Sequence, residues 1–318
     1  MKGNWVSYKN GNYNVHINLD DGTKVRENDL DFFEADTVES FDLKITGRCD
    51  MGCRYCFEGS TPDGRHAAIH FEGTFLEKLH PYTEIAIGGG NPLEHPGLVK
   101  FLEDCRDHKL IPSMTVNQVH FEKYKSFLKS LIDHKLIYGL GVSLVKATAQ
   151  FVKMLSEFPT AVVHTIAGVT SIDDYRNLAH RNLKVLILGF KQVRRGAKYY
   201  EEMGEDVKER IDFLRHLTPI MIEEGWFKVL SFDNLALKQL NIKNVLSEEQ
   251  WNEFFMGDDG MDGGFDSATM FIDLVERKYA KNSCASEEER YPLLATIEEM
   301  WNDLKHRSKE RQGENIIL

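Results

Sequence analysis

Three of the five cysteines lie close together, in the spacing Cys49-x3-Cys53-x2-Cys56, whereas Cys105 and Cys284 are isolated. Thiolate sulfur is a soft ligand that binds zinc, copper(I) and iron–sulfur clusters. A disulfide scaffold would instead distribute its cysteines along the chain and pair them. The spacing therefore predicts that the three clustered thiols bind a metal centre together.

The number of thiolates indicates which metal centre this is. A structural zinc site normally has four protein ligands, and His66 is the nearest additional candidate. A [4Fe-4S] cluster held by protein alone also needs four thiolates, so three leave one iron open. Gly52 allows the loop to curl tightly, and Arg48 and Arg54 offset the negative charge of a cluster. We predict a [4Fe-4S] cluster with one open iron, and a zinc site is the alternative.

The elements around the cysteines follow an alternating α/β pattern. From residue 41 onward, short apolar runs alternate with amphipathic runs of helical length, which predicts βαβ units and a parallel sheet. The predicted strands are residues 41–46, 84–88, 112–117, 137–143, 161–166, 183–189 and 227–232. The predicted helices are residues 71–80, 96–109, 120–134, 147–157, 171–181 and 205–223. So many successive units favour a partial or complete barrel.

Two smaller parts flank this core. Apolar residues alternate with polar ones from Tyr13 to Leu19, and a turn and a return strand at 24–26 complete a predicted hairpin. Beyond a Gly/Asp-rich loop at 258–266, the sequence predicts a second hairpin and a final helix, at residues 269–275, 277–283 and 291–309. The predicted division is an N-terminal β-hairpin element, a core and a C-terminal extension, at residues 1–40, 41–232 and 233–318.

The cysteine motif, placed after the first core strand, resembles the signature of the radical S-adenosylmethionine (SAM) superfamily. Tyr55 fills the aromatic position of the pattern C-x3-C-x-aromatic-C. The resemblance covers residues 41–232 and implies a partial (β/α)6-type, TIM-like barrel. It also implies that the three cysteines hold a single [4Fe-4S] cluster, and that SAM chelates the open iron through its amino and carboxylate groups.

The same resemblance implies an activity. The reduced cluster of the family cleaves SAM to methionine and a 5′-deoxyadenosyl radical, which takes a hydrogen atom from a substrate. The protein would supply position and the exclusion of water, while the cofactors carry the chemistry. Reduction implies an electron donor such as flavodoxin or ferredoxin, and the cluster implies oxygen sensitivity. A non-catalytic protein that binds zinc or a structural iron–sulfur cluster is the competing hypothesis.

A glycine-rich segment, Gly88-Gly89-Gly90-Asn91, ends the second predicted strand. Glycines there allow the backbone to approach a ligand closely. The segment resembles the family's Gly-Gly-Glu motif, whose backbone receives the methionine amino group of SAM, and Asn91 stands where an acid often sits. Taken alone, a glycine triplet is more often a turn.

Polar residues end three further predicted strands. Asn117 and Ser143 end the third and fourth, and they resemble family positions that contact the ribose or carboxylate of SAM. A polar residue in such a place is also a common satisfied loop group. Lys191 follows the sixth strand, and we predict that it points to the same mouth and pairs with a carboxylate of SAM or of the substrate. We therefore count Lys191 with the three cysteines among the catalytic residues.

Two substrate classes fit the sequence. Arg194, Arg195 and Lys198 form a basic group in an acidic chain, which favours a phosphate-bearing small molecule. The flanking hairpins equally favour a peptide that binds by strand addition. The sequence therefore leaves a peptide and a phosphate-bearing small molecule as alternatives.

The overall composition argues against other classes. The formal net charge is −11, so global attraction to nucleic acid is not expected. The sequence contains no run of about 18 apolar residues, so no membrane span is predicted. The first residues lack the apolar stretch of a secretory signal, which predicts a cytoplasmic protein.

Overall fold

The structure is a computed structural model that describes residues 3–30, 32–254 and 268–314. The predicted Gly/Asp-rich loop at 258–266 lies outside these described residues. The strands are β1 (Trp5–Asn10), β2 (Tyr13–Asn18), β3 (Lys24–Glu27), β4 (Ser40–Thr46), β5 (Glu84–Gly89), β6 (Ile111–Asn117), β7 (Gly139–Ser143), β8 (Ala161–Ile166), β9 (Lys184–Leu188), β10 (Val229–Phe232), β11 (Thr269–Asp273), β12 (Lys278–Ala280) and β13 (Tyr291–Pro292). The helices are α1 (Leu98–Asp107), α2 (Gln118–Lys123), α3 (Lys125–Asp133), α4 (Ala149–Leu155), α5 (Ile172–Leu178), α6 (Arg195–Glu223), α7 (Asn234–Gln239), α8 (Glu248–Phe254) and α9 (Ile297–Glu314).

One ten-stranded sheet, in the order β10-β9-β8-β7-β6-β5-β4-β11-β12-β13, forms the partial barrel that the sequence predicts. Strands β4 to β10 run parallel, and each pairs with the next along the chain. All seven predicted core strands are confirmed. Strand β11 adds to the other side of β4 in parallel, and β12 then pairs with it antiparallel. The chain after residue 232 therefore contributes strands to the same sheet.

The two faces of this sheet differ in chemistry. In β4, the alternate residues Phe41, Leu43 and Ile45 are buried in the main apolar core, so Asp42 and Lys44 lie on the opposite, inner face. Small or polar residues continue the inner face on β5, β6 and β7, namely Ala86, Gly88, Ser113, Thr115, Gly139 and Gly141, whereas on β8 this face carries His164 between Val162 and Ile166. Parallel sheets that are covered on both faces read as continuous apolar runs. The alternation here indicates that the inner face borders a chamber and not a second apolar core.

The N-terminal segment forms a three-stranded antiparallel sheet, β1-β2-β3. The sequence predicts β2 and β3 but misses β1. Tyr13, Val15 and Ile17 of β2 pack around Ile111, the first residue of β6, in a separate apolar cluster. This sheet therefore covers the amino ends of the core strands, at the end opposite the cysteine loop.

Charged side chains fasten the N-terminal sheet to the barrel. The fully buried Glu39 accepts hydrogen bonds from Arg26 (Nε to Oε1, 2.8 Å) and Lys24 (Nζ to Oε2, 3.1 Å). It also accepts one from the Tyr13 hydroxyl at 2.6 Å, and Lys24 forms a second ion pair with Glu84. A buried carboxylate of this kind is tolerated only because several donors compensate for its desolvation.

Three helix predictions need correction. The predicted helix 120–134 is divided at Tyr124 into α2 and α3, and the final helix begins at Ile297 and not at residue 291, where the chain forms β13. Residues 71–80 form no α-helix but one 3₁₀ turn, Phe75–Lys78, because Gly73 adopts φ +70° and Thr74 caps the turn by accepting a hydrogen bond from the Leu76 N–H. The predicted helix 205–223 is confirmed as the second part of α6; Met203, at φ −125° and ψ 17°, is not helical and separates it from a first part that begins at Arg195. Gly196 and Gly204 weaken the helical signal of that first part, because glycine is a poor helix former.

Within the described ranges, none of the helices combines the length and apolar composition needed to cross a bilayer.

We expect Glu39→Gln to destabilise the fold, because the two cations would keep their partly buried positions with less compensation. The expected loss is about 3 kcal/mol in the free energy of unfolding, measured by urea denaturation. The matched control is Glu27→Gln, since Glu27 is 74% exposed and its ion pair with His16 lies within the N-terminal sheet. A loss for Glu39→Gln as small as that of the control would contradict the role of the network.

Candidate functional site

The cysteine loop leaves β4 at its carboxyl end, and backbone hydrogen bonds fix its base. Residues 61–67 run back beside residues 45–49, so that Cys49 N–H donates to Thr61 O at 2.9 Å and Gly47 N–H donates to Arg65 O at 2.8 Å. A β-carbon on Gly64 would lie 2.0 Å from Gly47 O, so this close approach requires glycine. The protein therefore shapes the loop before any metal binds.

The three thiols are reduced and partly buried. Burial raises the pKa of the Cys49 and Cys53 thiols, and charge on the neighbouring cysteines raises it further. Three mutually repelling thiolates in a partly desolvated loop become favourable when a metal centre binds them. The donor set therefore fits a thiophilic metal centre.

The glycine segment after β5 packs directly against the cysteine loop. Gly90 N–H donates to Thr46 O at 2.8 Å, and a β-carbon on Gly90 would lie 2.1 Å from Arg48 O. Gly89, at φ +104°, is similarly tight against Thr46. A β-carbon on Gly88, in contrast, would meet no atom within 4 Å, so β5 presents bare backbone to the chamber there.

Asn91 and Asn117 both serve as caps. Asn91 is buried, and its Oδ1 accepts a hydrogen bond from Leu93 N–H at 3.3 Å while its amide donates to Glu94. Asn117 Oδ1 accepts from Val119 N–H at 2.9 Å at the start of α2. Asn117 and Ser143 pair in register at the carboxyl ends of β6 and β7. Their contacts with SAM stay predictions.

Lys191 and Tyr55 lie beside the cysteine loop. Lys191 Nζ donates to Ser283 Oγ at 2.8 Å. It also lies 4.1 Å from the centre of the ring of Phe57, the residue that follows Cys56 in the chain. Tyr55 packs edge-on against Tyr199 of α6, and burial raises its pKa to about 12. Both residues are thus close to the predicted cluster, and Lys191 connects the loop with the C-terminal extension.

The basic group after β9 is turned toward the protein. The Arg194 guanidinium donates to Glu58 O at 2.7 Å and to the Glu287 carboxylate at 3.4 Å. Arg195 lies near enough to Cys53 for its charge to lower the pKa of that thiol, although burial dominates and raises it. Arg194 therefore holds the cysteine loop against the C-terminal extension.

The sequence did not reveal a buried ion triad behind the cysteine loop. Lys44 Nζ lies 2.9 Å from Glu58 Oε2 and 3.0 Å from Asp273 Oδ2, and all three side chains are at most 7% exposed. Glu58 follows the last cysteine by two residues, and Asp273 ends β11. A lysine inside an apolar strand indicates a buried charge that needs acidic partners. The sequence does not identify these partners, because they lie on other segments of the chain.

The sequence does not reveal titratable residues at two further places, a cluster around Asp50 and a histidine on β8. Asp50 accepts a hydrogen bond from the buried His120 (Oδ1 to Nε2, 2.7 Å), which lowers the pKa of Asp50, and Glu94 lies beside them. His164 lies on the inner face of β8 across Gly141, and burial lowers its pKa to about 4. His164 is therefore neutral at physiological pH.

Comparison with curated proteins finds similarity over part of the chain, and no family model matches it. The chain is 25% identical over 101 residues to GTP 3′,8-cyclase of Hydrogenovibrio crunogenus, covering 29% of this chain and 30% of that protein. It is 31% identical over 97 residues to a probable GTP 3′,8-cyclase of Methanococcus maripaludis strain C5, covering 29% of this chain and 33% of that protein. The match thus spans about a third of the length of these relatives.

Comparison with solved structures extends over most of the chain. SuiB of Streptococcus suis bound to precursor peptide SuiA superposes with a TM-score of 0.55 over 88% of this chain and 82% of that one, at 10% identity. SuiB bound to S-adenosylmethionine gives a TM-score of 0.51, over 88% and 81%, also at 10% identity. Such distant likeness shows a shared fold. The cysteine motif at the carboxyl end of the first core strand, the partial similarity to the cyclases and this shared fold all agree with the resemblance to the radical SAM superfamily that the sequence predicts.

Proposed function

We propose that this chain is a radical SAM enzyme in which Cys49, Cys53 and Cys56 hold a [4Fe-4S] cluster and SAM occupies the open iron. The observation that carries the proposal is a loop, fixed at its base by backbone hydrogen bonds, that holds three free and partly buried thiols at the carboxyl end of the first core strand. When bound, these groups supply a 5′-deoxyadenosyl radical that removes a hydrogen atom from the substrate. Flavodoxin or ferredoxin is the proposed electron donor.

The residues of this chain would position and shield the reacting groups. The N-terminal sheet covers the amino ends of the strands, so a substrate would enter from the carboxyl end, where the cysteine loop lies. Gly88 leaves room for a ligand to approach the β5 backbone. Phe57 and Lys191 stand at the side of the loop toward the C-terminal extension, where they would help to exclude water.

A peptide is the substrate class that we favour. The fold is shared with SuiB, which has been crystallised with a precursor peptide. The phosphate-bearing alternative has support from the curated relatives, which are named for action on GTP. The basic group at Arg194, Arg195 and Lys198 gives that alternative less support, however, because the Arg194 guanidinium already binds Glu58 and Glu287.

We expect Cys53→Ala to abolish both the cluster and the activity. Anaerobically reconstituted wild type should show the absorbance and, after dithionite, the electron paramagnetic resonance of a [4Fe-4S] centre, and should form methionine and 5′-deoxyadenosine from SAM. The variant should form no more of either product than a protein-free control, because two thiolates hold the cluster poorly.

Cys105→Ala is the matched control, since Cys105 is buried in the apolar core on α1, away from the loop. It should keep the iron content and the SAM cleavage of the wild type. Stoichiometric zinc, without iron and without SAM cleavage, would contradict the proposed function and support a non-catalytic metal-binding protein.

We expect Glu58→Gln to loosen the cysteine loop. The substitution leaves the Lys44 cation with Asp273 alone in a buried site, and breaking such a pair should destabilise the fold by about 3 kcal/mol. The reconstituted variant should lose iron to a chelator faster than the wild type. Glu157→Gln, at an exposed ion pair with Lys125, should lose iron at the wild-type rate. Equal rates for Glu58→Gln and wild type would show that the triad does not support the loop.

A further inference from the structure

Asp42 is an acidic side chain on the inner face of the barrel. Its side chain keeps solvent-accessible surface, yet desolvation by the surrounding protein raises its pKa. A group with both properties borders an internal chamber that solvent or a ligand can fill. Among the described residues, none forms a hydrogen bond or ion pair with the Asp42 carboxylate.

Other acidic groups of the interior have partners. Glu39 pairs with Arg26 and Lys24, and Glu58 and Asp273 share Lys44. The buried Asp174 accepts a hydrogen bond from Ala147 N–H at 2.9 Å and forms an ion pair with Lys146. Asp42 departs from this pattern, because its side chain is exposed to the chamber and has no hydrogen bond or ion pair among the described residues.

The charged neighbours of Asp42 are engaged elsewhere. Lys191, Glu58 and Asp233 lie near enough for their charges to affect the pKa of Asp42. Lys191 donates to Ser283, Glu58 pairs with Lys44, and Asp233 Oδ1 accepts from the N–H groups of Gly189 and Ala236. Lys191 has the strongest charge effect of the three, but its ammonium is directed to Ser283, so the Asp42 carboxylate has no ion pair with it.

The row of residues beside Asp42 leaves space for such a ligand. In register with Asp42 on one side lie Ala86 of β5, Ser113 of β6 and Gly139 of β7, and on the other side lies Phe271 of β11. The small side chains of β5 to β7 set back the wall of the chamber on their side of the carboxylate, whereas the Phe271 ring borders it on the other. The chamber is reached from the carboxyl end of the strands, where the cysteine loop lies, because the N-terminal sheet covers the other end.

We infer that Asp42 binds a positively charged group of the substrate, an ammonium or a guanidinium, and thereby anchors the substrate inside the barrel below the cluster. This inference rests on the proposed function and narrows its substrate class to compounds that carry such a group. The cation would donate a charge-assisted hydrogen bond to the Asp42 carboxylate, which has no such donor among the described residues of the protein. The inference adds a specificity-determining residue to the site.

The test measures hydrogen transfer from simple probes in the reconstituted holoenzyme. The probes are perdeuterated n-pentylamine, perdeuterated n-pentylguanidine and, as the neutral compound of similar length, perdeuterated n-hexanol. With SAM and dithionite, mass spectrometry gives the fraction of 5′-deoxyadenosine that carries deuterium. We expect this fraction to be at least about tenfold higher with a cation than with the alcohol, which corresponds to about 1.4 kcal/mol of preference.

Variants separate binding by Asp42 from a structural effect. Asp42→Asn keeps the shape and should reduce the deuterated fraction with both cations to the level of the alcohol. Its free energy of unfolding should equal or exceed that of the wild type, because an unpaired carboxylate is removed. Asp173→Asn, at an exposed surface pair with Arg176, should leave the deuterated fraction unchanged.

Other outcomes would overturn the inference. No deuterium transfer from either cation, equal transfer from the alcohol, or unchanged transfer in Asp42→Asn would each contradict it. If no 5′-deoxyadenosine forms under any condition, the proposed function fails instead. Calorimetric titration of the reconstituted protein with the two cations would then test Asp42 separately, and wild-type binding that is equal to that of Asp42→Asn would count against it.

Discussion

The buried Lys44 ammonium is the constraint on which the site depends. A lysine that is 4% exposed needs compensation from buried acids, and here the acids come from two distant places in the chain. Glu58 belongs to the cysteine loop and Asp273 to β11, whereas Lys44 belongs to β4. The ion pair of Lys44 with Glu58 therefore fixes the cysteine loop on the first core strand. The ion pair of Lys44 with Asp273 requires the C-terminal segment to join the same sheet. Arg194 adds a second link between the loop and that segment through Glu58 and Glu287.

The alternation along β4 gives the sheet its two roles. Its outward residues build the apolar core with the helices, and its inward residues, Asp42 and Lys44, bring charge to the inner face. Glycine, alanine and serine on the neighbouring strands keep that face open. The N-terminal sheet covers the amino ends of the strands, and the cysteine loop lies at their carboxyl ends. This arrangement places both the cysteine loop and the free Asp42 carboxylate at one chamber.

Local signals explain what the sequence predicts and what it misses. The core strands and the cysteine spacing are visible because apolar periodicity and ligand spacing act over a few residues. Strand β1 is missed because the adjacent Trp5 and Val6 break the alternation, and the helix predicted at 71–80 is wrong because Gly73 and Thr74 favour a short capped turn. Contacts between distant segments, such as Lys191 with Ser283 or β4 with β11, leave no local pattern.

The charged residues near the site explain why the sequence alone left two substrate classes open. The sequence draws attention to Arg194 and its basic neighbours, which suggested an anionic ligand. In the fold, Arg194 neutralises protein groups, while Asp42, which stands inconspicuously in an apolar strand, keeps no protein partner among the described residues. A charge that the protein has already paired contributes to stability, and a charge that it leaves unpaired in a chamber is available to a ligand. By this criterion, the inner face of the barrel favours a cationic group over a phosphate.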